Sequence, residues 1–337
     1  MKENLKSKAY LRDRSRVRNL EIIAFDIGAT KIAYARVQFK IQNSKFKIIS
    51  QKSEVKNFNF KIQNFDKIKT PKSRKEVIKK IIEIVEKIKK ATFTNVAFRT
   101  AVGIGIAGQI DFKRGIVLSS PNMSGWENVP LRNILEKELK IPVILDNDAH
   151  CFVLGEACFG SARNYKHIIG LTLGTGIGGG IIIDGKLYRG ANNTAGEFGH
   201  TIVETKYNFK CSCGIRGHLE AFVSGQAMEN LYKELSGEKL DSFEIEKRAL
   251  RGEEKALKVI NLTGSTLGKK LSDMINFFNP EIIIIGGGLS RMKLLWRPMI
   301  RETKKRVFFK PLAKTKIVRS KLGDKAGVLG AAVLAVD

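Results

Sequence analysis

Cysteine is scarce, at four in 337 residues, which excludes a small disulfide-stapled scaffold. Two of the four stand as Cys211-Ser212-Cys213, a spacing poor for a disulfide and suited to a shared metal. Proline numbers only seven, which leaves no room for Pro-rich linkers. No apolar run approaches the roughly 20 residues that span a bilayer. The longest, around Ile282–Ile285 and Val328–Val336, are far shorter. The first twenty residues are basic and lack the apolar core of a secretory signal. A reducing, cytoplasmic setting is expected, with no membrane partner.

Acidic residues are also few. Lys and Arg number 60 against 33 Asp and Glu, a formal net charge of +27. Such an excess raises the question of nucleic acid, whose phosphates release counterions to Lys and Arg. The cations are spread along the chain without interleaved aromatics, so a solvated basic surface is the favoured reading and nucleic acid is not an expected partner. Glycine, in contrast, is plentiful at 31, which points to sites lined by bare backbone. The length suggests two domains.

The apolar run Glu21–Phe25 leads into Asp26-Ile27-Gly28-Ala29-Thr30-Lys31 and a second run, Ile32–Val37, predicting a hairpin about a Gly turn. From Lys40 to Lys69 extended strands and a loop are expected. Ser73 and Glu76 form a capping box before a helix whose apolar face holds Val77, Ile78, Ile81, Ile82, Val85 and Ile88. Strands are expected at Val102–Ile106, Val143–Leu145 and His167–Leu173, and a helix at Leu131–Leu139. After Leu173 comes Gly174-Thr175-Gly176-Ile177-Gly178-Gly179-Gly180, followed by an expected strand at Ile181–Ile183. Helical patterns run to Phe278, Pro280 stops them, and Glu281–Ile285 enters Gly286-Gly287-Gly288. A short helix of small and aliphatic residues closes the chain at Ala326–Val336. Strand–Gly turn–strand signals thus occur once in each half, which suggests two related α/β domains around a cleft.

Two stretches match G-x-G-x-x-G, at Gly103/Gly105/Gly108 and Gly174/Gly176/Gly179. Neither opens a helix, so the dinucleotide reading loses to hairpins whose N–H groups can meet phosphate. Asp26 with Gly28, Thr30 and Lys31 supplies one such turn, the carboxylate being suited to Mg²⁺ directly or through water. Gly174-Thr175-Gly176 supplies the other. Asp146-Asn147-Asp148 closes a buried strand, where an α/β protein presents ligand-facing groups; Asp148 suits the base that accepts a hydroxyl proton in phosphoryl transfer. Capping of the next helix is the alternative for these aspartates. His200, Cys211, Cys213 and His218 follow the spacing H-x10-C-x-C-x4-H, a tetrahedral Zn²⁺ pattern with a structural rather than water-activating role. Glu197 and Glu220 flank it as candidate hydroxyl acceptors, and Asn122 adds an amide.

Together these residues resemble the ROK family (repressors, open reading frames and sugar kinases), from about Ile22 to Val336. The marker is Cys211-Ser212-Cys213-Gly214-Ile215-Arg216-Gly217-His218-Leu219-Glu220, similar to C-x-C-G-x-x-G-C-x-E. Supporting it are Ser120-Pro121-Asn122, Asp146-Asn147-Asp148 and Gly196-Glu197-Phe198-Gly199-His200. The resemblance implies an actin-like ATPase (RNase H-like) fold, two α/β domains flanking a cleft. Residues 1–20 would be a basic extension, 21–141 with 325–337 a small domain, and 142–324 a large one carrying the zinc loop. It implies transfer of the ATP γ-phosphate to a hexose or amino-sugar, at O6, with Asp148 as general base. Asn122, Asn147, Glu197, His200 and Glu220 would hold the sugar. Asp26, Gly28, Thr30, Lys31, Gly174, Thr175, Gly176, Gly178 and Gly286–Gly288 would hold ATP and Mg²⁺. A homodimer or homotetramer is implied too. The alternative is a sugar-responsive regulator of the same family, which needs a DNA-reading module where only about twenty residues precede the first strand. Three positions depart from the family pattern: His218 replaces a cysteine, Ala29 a glycine, and His150 a frequent Asn.

Overall fold

A computed structural model of the chain describes residues 19–40, 59–92, 99–204 and 207–336. The expected basic extension and most of the Lys40–Lys69 stretch lie outside them. Among the described residues the first half runs β1 (Asn19–Ile27), β2 (Lys31–Lys40), β3 (Asn59–Lys69), α1 (Arg74–Thr92), β4 (Arg99–Ile106), β5 (Gln109–Asp111), β6 (Ile116–Ser119), α2 (Leu131–Leu139), β7 (Val143–Asn147) and α3 (Asp148–Phe159). The second runs β8 (Ile168–Leu173), β9 (Ile177–Ile183), β10 (Lys186–Tyr188), α4 (Glu220–Val223), α5 (Gly225–Ser236), α6 (Ser242–Leu250), α7 (Glu254–Phe278), β11 (Ile282–Gly286), α8 (Lys293–Arg306), β12 (Lys316–Arg319) and α9 (Ala326–Leu334).

Two five-stranded sheets result, ordered β3-β2-β1-β4-β7 and β10-β9-β8-β11-β12. Counted within its own sheet, each is 3-2-1-4-5. In each, the first three strands are antiparallel and the last two join the first in parallel. The central strands are buried on both faces, so they read as unbroken apolar runs, as in Ile22–Phe25 and Ile282–Ile285. The duplication expected from the paired Gly turns is therefore present in topology, and the fold is the actin-like one. β7 pairs with β4, so the first sheet extends to Asn147. Parallel pairing joins residues some 40 positions apart and leaves no local trace in sequence.

Local signals mark the helix ends. Ser73 Oγ accepts from Glu76 N and Glu76 Oε2 from Ser73 N, each at 3.3 Å, the reciprocal box that starts α1. Its buried face carries Val77, Ile81, Ile84, Val85 and Ile88. At the end of α7, Asn279 takes a left-handed φ of 42° before Pro280.

α9 is apolar all round and buried throughout. It lies against α3 and β4 at backbone contact. A Cβ on Gly155 would stand 2.1 Å from Ala326 O, one on Gly330 1.6 Å from Cys151 O, and one on Gly103 2.0 Å from Ala331 O. The first Gly-rich fingerprint thus serves helix packing. Gly330→Ala is expected to lower stability by about 1–3 kcal/mol through overpacking, read by urea unfolding. A gain of ~1 kcal/mol, the effect of helix propensity alone, would contradict this packing account.

Candidate active site

One cavity of about 550 Å³ is walled by both sheets and collects the predicted groups. The β1–β2 turn contributes Asp26 and Gly28 to Lys31, and the β8–β9 turn contributes Gly174 to Gly178. Gly28 N donates to Lys31 O at 3.0 Å, and Gly174 N to Gly176 O at 2.9 Å, which closes each turn. The second turn is shorter than expected, because β9 begins at Ile177 and takes Gly178–Gly180 into the sheet. Gly179 is required there, since a Cβ would lie 2.2 Å from Gly196 O. Gly286–Gly288 line the same cavity. Gly287 combines a φ of +79° with a Cβ position 2.2 Å from Leu173 O, a place only glycine fits.

The aspartates of the Asp146-Asn147-Asp148 segment do different work. Asn147 is the cap of α3, its Oδ1 accepting from Ala149 N at 2.8 Å and His150 N at 3.2 Å. Its Nδ2 donates to Gly108 O at 2.9 Å, which leaves one amide N–H for a ligand. Asp146 is fully buried, bonded to His150 and Arg189, and does not line the cavity. Asp148 faces it. Burial pushes Asp148 up to about 6, against the Ala149 N–H and His150 that favour its ionised form. Asp26 is pushed up to about 7 by burial and then by Asp148, with Lys31 opposing. Two mutually repelling carboxylates beside the Gly turns form a donor set that a divalent cation relieves, so the site fits Mg²⁺.

Across the cavity stand Asn122, Glu197, His200 and Glu220. Glu197 lies 3.7 Å from His200 Nε2 and is pushed up first by burial. Glu220 is more committed than its expected role as a hydroxyl acceptor: Oε2 accepts from Ile177 N at 3.0 Å and Oε1 from Ser212 Oγ at 2.6 Å. It therefore ties the β8–β9 turn to the cysteine loop.

His200, Cys211, Cys213 and His218 bring their ligand atoms within 4.8 Å of one another. The Nδ1 atoms of the two histidines face each other at 3.2 Å, and Cys213 Sγ lies 3.2 Å from His218 Nδ1. A tetrahedral ion with bonds of about 2.0–2.3 Å requires such separations between its ligands. Burial and then His200 push His218 down, towards the neutral ligand form. Burial and the Glu220 carboxylate push the Cys211 thiol up to about 12, a proton that a soft cation displaces. The donors fit zinc, and His218 keeps the fourth position that cysteine fills in the family pattern. With Nδ1 of His200 in the cluster, its Nε2 edge is the one near Glu197.

Sequence reasoning missed Thr172, Ser290, Arg291 and the Arg319–Asp324 segment, all of which line the cavity. Asp324 is shared by Lys31 at 2.9 Å, Arg291 at 3.4 Å and Lys67. A Gly-Asp pair just before an all-apolar helix was the available signal for it.

The ROK family model matches residues 22–337. The chain belongs to the ROK family. A glucokinase from Thermotoga maritima is 40% identical over 246 residues, 68% of this chain and 77% of its own. An N-acetyl-D-glucosamine kinase from Photobacterium profundum is 34% identical, covering 92% of this chain and 97% of its own. A ROK family glucokinase from Streptomyces griseus, solved with glucose and AMPPNP, aligns with a TM-score of 0.76 at 30% identity over 93% of this ROK chain and 98% of that one. A xylose repressor from Caldicellulosiruptor bescii is similar as well, at 34% identity over 82% of this chain and 72% of its own.

Glu220→Ala in this ROK site is expected to leave the buried Ile177 N–H unpaired, lowering stability by about 1–3 kcal/mol in denaturant unfolding. An unchanged midpoint would remove Glu220 from its tying role.

Proposed function

We propose that this protein is a sugar kinase that transfers the ATP γ-phosphoryl group to a hexose or N-acetylhexosamine hydroxyl, at O6, with Asp148 as general base. The carrying observation is that Asn147 takes over the helix cap while Asp148 faces the cavity shared by both Gly turns. Glucokinase and N-acetyl-D-glucosamine kinase relatives support the same reading. So does the related glucokinase solved with glucose and AMPPNP.

Phosphoryl transfer needs little covalent help from a protein; it needs positioning and charge stabilisation. The N–H groups of the Gly28–Lys31 and Gly174–Gly176 turns meet phosphate oxygens, with Lys31 and Arg291 adding positive charge at the rim. Asn122, Glu197 and the Nε2 edge of His200 orient the sugar. Asp148, ionised, accepts the proton of the attacking hydroxyl. Mg²⁺, held at Asp26, would neutralise charge on the phosphates. Zn²⁺ on His200, Cys211, Cys213 and His218 would fix the loop that presents His200. Thiol ligands persist where thiols stay reduced, so a cytoplasmic setting is part of the proposal.

A coupled assay with ATP, Mg²⁺ and a panel of hexoses and N-acetylhexosamines is expected to find turnover. Specific duplex DNA binding with no sugar phosphorylated would overturn the proposal in favour of a regulator. A base held near 6 must be ionised to act, so kcat/KM should fall as pH drops through about 6. Asp148→Asn should lower kcat by roughly 10²–10⁴-fold with sugar affinity retained. Turnover equal to wild type would exclude Asp148 as the base. Elemental analysis is expected to return about one zinc per chain, lost in Cys213→Ser. Metal-free protein with full activity would refute the ordering role.

A further inference from the structure

Glu156 stands about two turns along α3 from Asp148 and takes no part in the mechanism above. It is fully buried, at 0% exposure. Three hydrogen bonds converge on its carboxylate from two separate stretches of chain. Oε2 accepts from Ser161 N at 2.7 Å. Oε1 accepts from Ser320 Oγ at 2.6 Å and from Leu322 N at 2.9 Å. Gly160 leaves room for this, since a Cβ there would lie 2.1 Å from Oε2.

Ser320 and Leu322 belong to the connection from β12 to α9. β8, β11 and β12 run parallel, so their C-terminal ends open on one edge, where α/β sheets bind ligands. The first end leads to the Gly174 turn and the second to Gly286–Gly288. The third leads to Arg319–Asp324, which lines the same cavity. Ser320 N donates to Ile285 O at 2.9 Å, the last bond that ties this segment to the sheet. Beyond it the chain folds around Glu156. Ser320 Oγ gives its proton to the carboxylate and accepts from Gly323 N at 3.0 Å. Gly323 turns the chain at a φ of +56°, and Asp324 follows with its hold on Lys31 and Arg291.

The chemistry of the side chain matters here. Ser161 N and Leu322 N can only donate, and they meet opposite oxygens of Glu156. A carboxylate offers an acceptor to each, whereas an amide of the same size must point an N–H at one of them. Burying a carboxylate costs free energy that an apolar side chain would not. An apolar side chain, however, would leave both N–H groups unpaired and the Ser320 hydroxyl without its acceptor. What the carboxylate supplies is therefore the course of one particular segment, the one that ends at Asp324.

We propose that Glu156 is a positioning residue for the nucleotide, folding Ser320–Asp324 against α3 so that Asp324 holds Lys31 and Arg291 at the phosphate side of the cavity. This rests on the cavity being an ATP site. The sugar-facing groups Asn122, Glu197 and His200 sit on other segments of the chain. Loss of Glu156 therefore acts on nucleotide affinity and spares sugar affinity.

Glu156→Gln is expected to raise ATP KM by about 10-fold while sugar KM changes by less than about 2-fold. Calorimetry with AMPPNP should show the same loss of affinity without turnover. Ser320→Ala removes the hydroxyl from this network and should weaken AMPPNP by a smaller factor. Added to Glu156→Gln it should weaken binding little further, because the two side chains share one bond. Wild-type AMPPNP affinity in folded Glu156→Gln, or equal rises in ATP and sugar KM, would overturn the inference. Fully multiplicative effects of the two substitutions would overturn it too, since Ser320 would then act on the nucleotide directly. Where Glu156→Gln does not fold, wild-type affinity in Ser320→Ala is the overturning result. Wild-type protein that binds no AMPPNP would overturn the ATP reading and this inference with it, whereas the variant outcomes leave that reading standing.

Discussion

The site depends on how closely α3 and α9 approach. Glycine at 155 and 330 lets the two helix backbones touch. Their N-termini then converge on the cavity. α3 begins with Asp148, and α9 begins where Gly327 packs on the Asp26 carboxylate, a Cβ there being 2.3 Å from Oδ2. A helix start carries a partial positive charge, which favours anions. The same crossing that positions the carboxylates thus softens their mutual repulsion. A side chain forced between the helices would move Asp148 relative to the Gly turns, and phosphoryl transfer tolerates about 1 Å of such error poorly.

The duplicated sheet order explains why two Gly turns exist and why they share one cavity. Each turn joins the first strand of its sheet to the second. Asp26 stands two residues before Gly28, and Thr172 two before Gly174, at the same place in the repeat; both line the cavity. One copy offers a carboxylate and the other a hydroxyl, so the two halves of the site are chemically unlike despite matching topology. That asymmetry hid Thr172 from motif reasoning.

Features set by neighbours in sequence were legible. The capping box of α1, the boundaries of α2, both Gly turns and the thiol–imidazole spacing could all be read from the chain, while the choice between cap and cavity for Asp148 could not. Features set by distant partners were not. β7 joined the first sheet by parallel pairing, and Gly178–Gly180 became strand because Gly179 must clear Gly196. Asn147 and Glu220 read as free hydrogen-bonding groups. Their partners, Gly108 and Ile177, lie about 40 residues away, and these largely use up the side chains. Spacing can nominate a polar residue for a site, but only the fold shows how many of its lone pairs and protons remain for a ligand.

The basic excess also acquires a local meaning. Lys31, Lys67 and Arg291 share the single Asp324 carboxylate at the cavity rim, and two of these cations together hold Asp324 well below the usual carboxylate range despite its burial. Three cations against one anion leave a net positive rim. Among the described residues most of the other cations sit on solvated surface, where salt screens them within about 8–10 Å. At the rim, low-dielectric walls weaken that screening and focus the field inward. A polyphosphate bound as proposed would meet cations already drawn inward by Asp324, so part of the cost of ordering their long side chains would be met before it arrived. The carboxylate that lowers the rim's charge is thus also the one that pre-organises it.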